Sequence, residues 1–92
     1  MNALQQKFEL GQNVTTPGAL DKLNTEDAFE ALRRHQAGDW GDLPEEDKEM
    51  NEQAVENGQR IFSRYEDRDS TLFYVITEAD RSVTTVLLPE EY

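Results

Sequence analysis

Arg60-Ile61-Phe62-Ser63-Arg64-Tyr65, Thr71-Leu72-Phe73-Tyr74-Val75-Ile76-Thr77 and Ser82-Val83-Thr84-Thr85-Val86-Leu87-Leu88 are the stretches that decide the fold. Each is rich in β-branched and aromatic residues and alternates with a period of two, which predicts three strands. The links Glu66–Ser70 and Glu78–Arg81 are short and charged, so both joins read as antiparallel hairpins and the three strands as a C-terminal β-meander. With Glu78 to Arg81 as the turn, Ile76 lies opposite Val83, Tyr74 opposite Thr85 and Leu72 opposite Leu87, leaving Phe73, Val75 and Val86 on the other face. Both faces are then apolar. Helices cover one face of so small a sheet, and the other calls for an N-terminal strand, a dimer mate or a partner.

Upstream of Gly58 the apolar period lengthens to that of a helix. Asp42-Leu43-Pro44-Glu45 has capping-box spacing and predicts a helix from Leu43 to Asn57 with Gly58 just past its end. Leu43, Met50 and Ala54 project to one side of it, and Glu45, Glu49, Glu52 and Glu56 to the opposite side. A second helix runs from Asn24 or Thr25 to Ala37, with Ala28, Phe29 and Leu32 on one face and His35 on its flank. Thr16-Pro17 caps a short first helix, and Phe8 to Thr15 reads as a short strand. The expected architecture is therefore α+β: about three helices packed on a three- or four-stranded antiparallel sheet. Residues 1–7 are expected to form a flexible N-terminus and 8–92 a single acidic domain. Leu20, Phe29, Leu32, Trp40, Met50, Ile61, Leu72, Tyr74, Ile76, Val83 and Leu87 are the expected core.

Composition narrows the function. The formal charge is −11 over 92 residues, and carboxylates gain nothing from the counterion release that drives binding to polyanions. Direct nucleic-acid and membrane binding are therefore not expected, and a basic protein surface is the natural electrostatic partner. There is no cysteine, which removes thiolate catalysis and cysteine metal sites. No signal-like or membrane-length apolar run occurs, so a cytoplasmic protein is expected. The sole histidine, His35, has Asp39 four residues on but no third ligand, so no metal site is expected. The glycines lack phosphate-loop spacing. No catalytic constellation emerges, and the expectation is a non-enzyme without cofactors. Arg81 reads either as an anion contact or as a turn arginine paired with Asp80. Pro89-Glu90-Glu91-Tyr92 reads either as a recognition tail or as a frayed end.

Charge is concentrated in the middle of the chain. Eight acids and one lysine lie between Asp39 and Glu56, a local balance of −7. Asp39, Asp42, Glu45, Glu49, Glu52 and Glu56 are the candidate partner-binding residues, and the alternative is an ordinary solvated helix face.

Thr16-Pro17-Gly18-Ala19-Leu20, Gly38-Asp39-Trp40-Gly41-Asp42-Leu43 and the ending from Ile76 to Tyr92 resemble a family of small uncharacterised bacterial proteins labelled plasmid-related, over roughly residues 8 to 92. The resemblance implies carriage on plasmids, integrated elements and phages. It thereby implies element maintenance or a counter-defence role of the anti-restriction or anti-CRISPR type, and it brings no catalytic residues. Two functions follow as expectations. The first is an interaction module that presents carboxylates to the basic channel of a nucleic-acid-binding defence enzyme. The alternative is a structural or regulatory accessory protein, homodimeric through the second sheet face.

Overall fold

The computed structural model describes residues 6–92, an α+β fold of three helices and one four-stranded sheet. In chain order the elements are β1 (Gln12–Thr15), α1 (Pro17–Lys22), α2 (Thr25–Gln36), α3 (Glu45–Asn57), β2 (Ile61–Glu66), β3 (Leu72–Thr77) and β4 (Val83–Leu87), followed by a 3-10 turn at Pro89–Glu91. The sheet order is β1-β4-β3-β2. The meander is antiparallel as expected, but β1 joins β4 in parallel, so the sheet is mixed. Residues 1–5 of the expected flexible N-terminus lie outside the described residues, whereas the Lys7 N–H donates to the Gln36 carbonyl.

Local chemistry accounts for the helix ends. Thr16 and Asn24 cap α1 and α2 through side-chain oxygens, and Gly58, at φ 67°, closes α3. The expected Asp42–Glu45 capping box does not form. Pro44 is the N-cap, and its ring has no group that could make a side-chain bond; the Asp42 N–H, which a box would have used, donates to the Arg64 carbonyl at 2.7 Å.

Helices α1 and α2 cover the face carrying Tyr65, Phe73, Val75 and Val86, where Ala19, Leu23, Ala31, Leu32 and Leu88 complete the main core. The sheet thus faces its helices with the side opposite to the one expected. The reason is polar: Ser63, Thr77 and Thr84 lie on this face and are fully buried together with His35. The meander register is also shifted by two, pairing Ile76 with Thr85 and Tyr74 with Leu87. The turn keeps four residues but slides by one, to 79–82, with the Glu78 N–H closing on the Val83 carbonyl and Arg81 in the left-handed region at φ 60°. Arg81 does not pair with Asp80. Its guanidinium donates to the carbonyls of Ala54, Gln59, Glu78 and Ala79 at 2.7–3.1 Å, tying the end of α3 to the β3–β4 turn.

Leu20, Phe29 and Met50 are exposed (72, 63 and 65%) rather than buried. Helices α2 and α3 are rotated from the expected phase: α2 buries Ala31, Leu32 and His35, and α3 buries Asn51 and Ala54. Leu32, Trp40, Ile61, Ile76 and Leu87 are buried as expected, while Leu72, Tyr74 and Val83 are half-buried. On the outer sheet face Phe62, Tyr74 and Tyr92 pack ring against ring at 4.7–6.2 Å. The C-terminus is docked rather than frayed, since the Glu91 carboxylate accepts from the Thr16 hydroxyl and from the N–H groups of Gly18 and Leu88.

Asn51 explains the phase of α3. Its Nδ2 donates to the Phe62 carbonyl at 2.7 Å and its Oδ1 accepts from the Phe62 N–H at 3.1 Å, so one side chain replaces a strand beside the edge of β2. Two residues on, the Arg64 N–H donates to the Trp40 carbonyl while its own carbonyl accepts from Asp42. Gly41 permits that approach: a Cβ there would run into the Arg64 carbonyl oxygen, and its φ is +78°. Replacing Asn51 by Ala strands both Phe62 groups, so urea unfolding of Asn51→Ala should show a loss of roughly 2–3 kcal/mol with an unchanged denaturant slope.

Candidate functional site

The six carboxylates singled out by the charge pattern are all exposed, but they are not equivalent. Glu45, Glu49, Glu52 and Glu56 rise along one side of α3. Glu45, Glu49 and Glu52 line a shallow depression with Glu46, Lys48, Gly38 and Trp40, and Glu49, Glu52 and Glu56 continue it toward Lys7 and Gln53. Trp40, 3% exposed, packs with Ala54 and Ile61 in a second small core and supports the depression from beneath.

Glu52 is the structural member of the set. Its Oε2 accepts from the Trp40 indole N–H at 2.9 Å, and Lys7 Nζ lies 3.6 Å from its Oε1. Asp39 is committed as well: Arg34 clasps its carboxylate at 2.7 and 3.3 Å and the Gly41 N–H adds a third bond. The hydrogen bond from Arg34 holds the Asp39 carboxyl below its ordinary range, against the opposing effect of partial burial. Lys48 reaches Glu45 at 3.6 Å and adds its field at Asp39. Glu49, Glu56 and Asp42 have no ion pair among the described residues. Asp42 stands at the β2 edge, its N–H on the Arg64 carbonyl, and no hydrogen bond or ion pair among the described residues joins it to the glutamates. Glu46 belongs to the depression although its place off the four-three-four spacing hid it from the sequence pattern; its exposed position at the first turn of α3 was the available signal.

The remaining cations are spent elsewhere. Of nine lysines and arginines, Lys7, Lys22, Arg33, Arg34, Lys48, Arg60 and Arg68 are in ion pairs, and Arg81 serves carbonyls. Among the described residues Arg64 has no ion pair, and its Nε is buried without a hydrogen-bond partner. The acidic surplus on α3 therefore meets solvent with little compensation.

A separate polar constellation lies in the core. His35 does not flank the end of α2 as expected; it is wholly buried, with Nδ1 2.6 Å from Ser63 Oγ and Nε2 2.9 Å from Thr77 Oγ1. The protons can be placed by counting. The Thr84 hydroxyl donates to the Leu10 carbonyl at 2.7 Å, so Thr77 must donate across the 2.7 Å contact to Thr84. His35 Nε2–H then donates to Thr77, and Ser63 donates to the bare Nδ1 of a neutral ring. Ser63 and His35 have the contact of a nucleophile and its base, but both are inaccessible to solvent, so no substrate reaches them in this conformation. No group of three or more metal-ligating side chains occurs among the described residues, and no helix there is long and apolar enough to cross a membrane. No family model, curated protein or solved structure matches the chain.

Burial, with the nearby Arg81 charge adding to it, drives the His35 pKa down from 6.5 to about 3. Below pH 6.5 the unfolded chain therefore takes up a proton that the folded chain refuses. Stability is full above that pH and should fall by about 1.4 kcal/mol per pH unit as the solution is acidified toward the folded value. The part of the window above the carboxylate range isolates His35. Because the chain holds one histidine, its ring signals can be followed by NMR: they should stay neutral, with the proton on Nε2, to below pH 5 in the folded protein. A midpoint near 6.5 in the folded state would contradict this reading.

Proposed function

We propose that this protein is a small acidic interaction module that docks the α3 carboxylates on a basic, nucleic-acid-binding surface of another protein. The observation that carries this reading is the distribution of countercharge. The chain uses seven of its cations in ion pairs, and yet Glu46, Glu49 and Glu56 stand without an ion pair among the described residues, along an exposed face whose other members are Glu45, with the single contact from Lys48, and Glu52, held by Lys7 and Trp40. Like charges at helical neighbours cost a few tenths of a kcal/mol each, and a cationic partner would relieve that repulsion. A rigid helix carrying carboxylates in a row offers such a partner a fixed array of charge in place of phosphates, with no chemistry required.

The resemblance of the ending Ile76 to Tyr92 to plasmid-related proteins supports placing this activity in a mobile element, as a counter-defence inhibitor in a bacterial cytoplasm. The alternative, an accessory protein that dimerises through the outer sheet face, draws less support. Ile76 and Leu87 on that face are already 2% and 7% exposed, and Tyr92 turns back over Phe62 and Tyr74.

The test keeps Glu52, which anchors Trp40, and changes Glu45, Glu46, Glu49 and Glu56 together to Gln. The tagged native chain, incubated with lysate of a bacterium carrying restriction and CRISPR systems, should capture nucleic-acid-binding proteins that added salt and duplex DNA release. The fourfold variant should retain its fold by circular dichroism, lose most of that capture and show a flatter salt dependence. Equal capture by the variant at low and high salt would reduce the stripe to a solvated surface.

A further inference from the structure

The two edges of the sheet are treated in opposite ways. The β2 edge is closed by Asn51 and by the Trp40–Asp42 segment. The β1 edge is open: all four of its residues are exposed, and pairing with β4 turns Gln12, Val14 and Thr16 inward, leaving the backbone groups of Asn13 and Thr15 without partners among the described residues. Natural sheets blunt such edges with charge, proline or a cover. Here the chain does the reverse, since the eleven residues from Leu10 to Leu20 carry no charged side chain, in a protein of net charge −11.

An apolar groove opens beside this edge. Thr15 and Val86 line it from the sheet, and Ala19, Leu23, Ala28 and Leu32 from α1 and α2. Its lining also includes Leu20 and Phe29, expected core residues that are 72% and 63% exposed. Of the nearby acids, Glu91 is held by Thr16, Gly18 and Leu88, Glu90 by Lys22 and Glu30 by Arg33, and Asp21, beside Leu20, is exposed without an ion pair among the described residues.

We infer that β1 pairs antiparallel with β1 of a second copy of this chain, forming a continuous eight-stranded sheet. The occupant follows from symmetry and charge. A twofold axis normal to the sheet that pairs the two edges keeps both sets of helices on the same side, so the same operation brings the two apolar grooves together, with Leu20 and Phe29 of each copy facing the seam. Two chains of like charge can meet along an uncharged segment, whereas a basic partner gains nothing there. The capped β2 edge stops the assembly at two copies, and both α3 stripes remain outside the seam.

Light scattering on the size-exclusion eluate should give twice the 10.6 kDa chain mass for the native protein. Leu20→Glu with Phe29→Glu, both at exposed positions, should halve that mass without changing the circular dichroism spectrum. Asn13→Pro, which removes one outward N–H and leaves the bonds to β4, should halve it by a different route. Hydrogen exchange at Asn13 and Thr15 should be slow in the dimer and fast in the double glutamate variant, and exchange at Thr15 should be fast in Asn13→Pro as well. A native protein that is monomeric up to its solubility limit would overturn the inference. So would a dimer that survives both variants but is lost on Tyr74→Glu at the outer face, or a monomer whose β1 is protected only by another protein's strand.

Discussion

The Ser63, His35, Thr77 and Thr84 side chains and the Leu10 carbonyl form a chain of hydrogen bonds in which each hydroxyl has one proton to give, and every donor must therefore point the same way. Leaving any member unpaired in the core costs more than a surface bond contributes, because the buried group loses water without replacement. This one requirement joins α2, β2, β3, β4 and the segment entering β1. It rotates α2 until His35 points inward, it selects the sheet face on which Ser63, Thr77 and Thr84 lie as the face under the helices, and it holds Leu10 against β4. The apolar residues supply most of the burial energy, but both faces of the meander are apolar enough to serve, and the polar chain decides between them.

A similar logic governs the charges. Asp67, 6% exposed, is buried at the β2–β3 turn, where its carboxylate accepts from the N–H groups of Asn24, Asp69 and Thr71 at 2.9–3.0 Å. Desolvation opposes its ionised form, and those three bonds outweigh it, so its pKa is lowered. Beside it Arg68 binds Glu26 and Asp27 at the start of α2, which fastens the hairpin to the helix. Arginines are thus consumed in holding loops to helices, and Arg81 is consumed on carbonyls. With so few cations in the chain, many carboxylates have no ion pair among the described residues, and α3 carries four of them close together: Glu46, Asp47, Glu49 and Glu56.

Element types were legible in the sequence because they rest on local signals: the change of period at Gly58, the caps Thr16 and Asn24, and the glycine closing α3. Facing and register were not, because they depend on pairings between distant residues. A threonine in an alternating strand reads as a surface residue, and nothing local marks Thr77 as the partner of a histidine 42 residues away or Thr84 as the next link after it. The phase of α3 failed for the same reason. Met50 outranks Asn51 on any apolar scale, yet the asparagine is the residue whose two polar groups match a strand edge. In the acidic site the exposure of the stripe was legible from spacing, whereas the commitment of Asp39 to Arg34 and of Glu52 to Trp40 was not.

In the two proposals made above, the two ends of the sheet divide self-recognition from recognition of others. Against its own kind, electrostatics alone would keep such molecules apart, so any seam between copies has to be a stretch where charge is absent and backbone groups are free. Against a basic surface the opposite holds, and affinity and rate come from carboxylates that are exposed and poorly compensated. A residue cannot serve both ends, because a glutamate on β1 would close the seam and an apolar residue on α3 would dilute the field. The two features lie on opposite edges of one sheet: the neutral segment Leu10–Leu20 at β1, and the acidic stripe beyond β2, on the helix whose Asn51 closes that edge to strands.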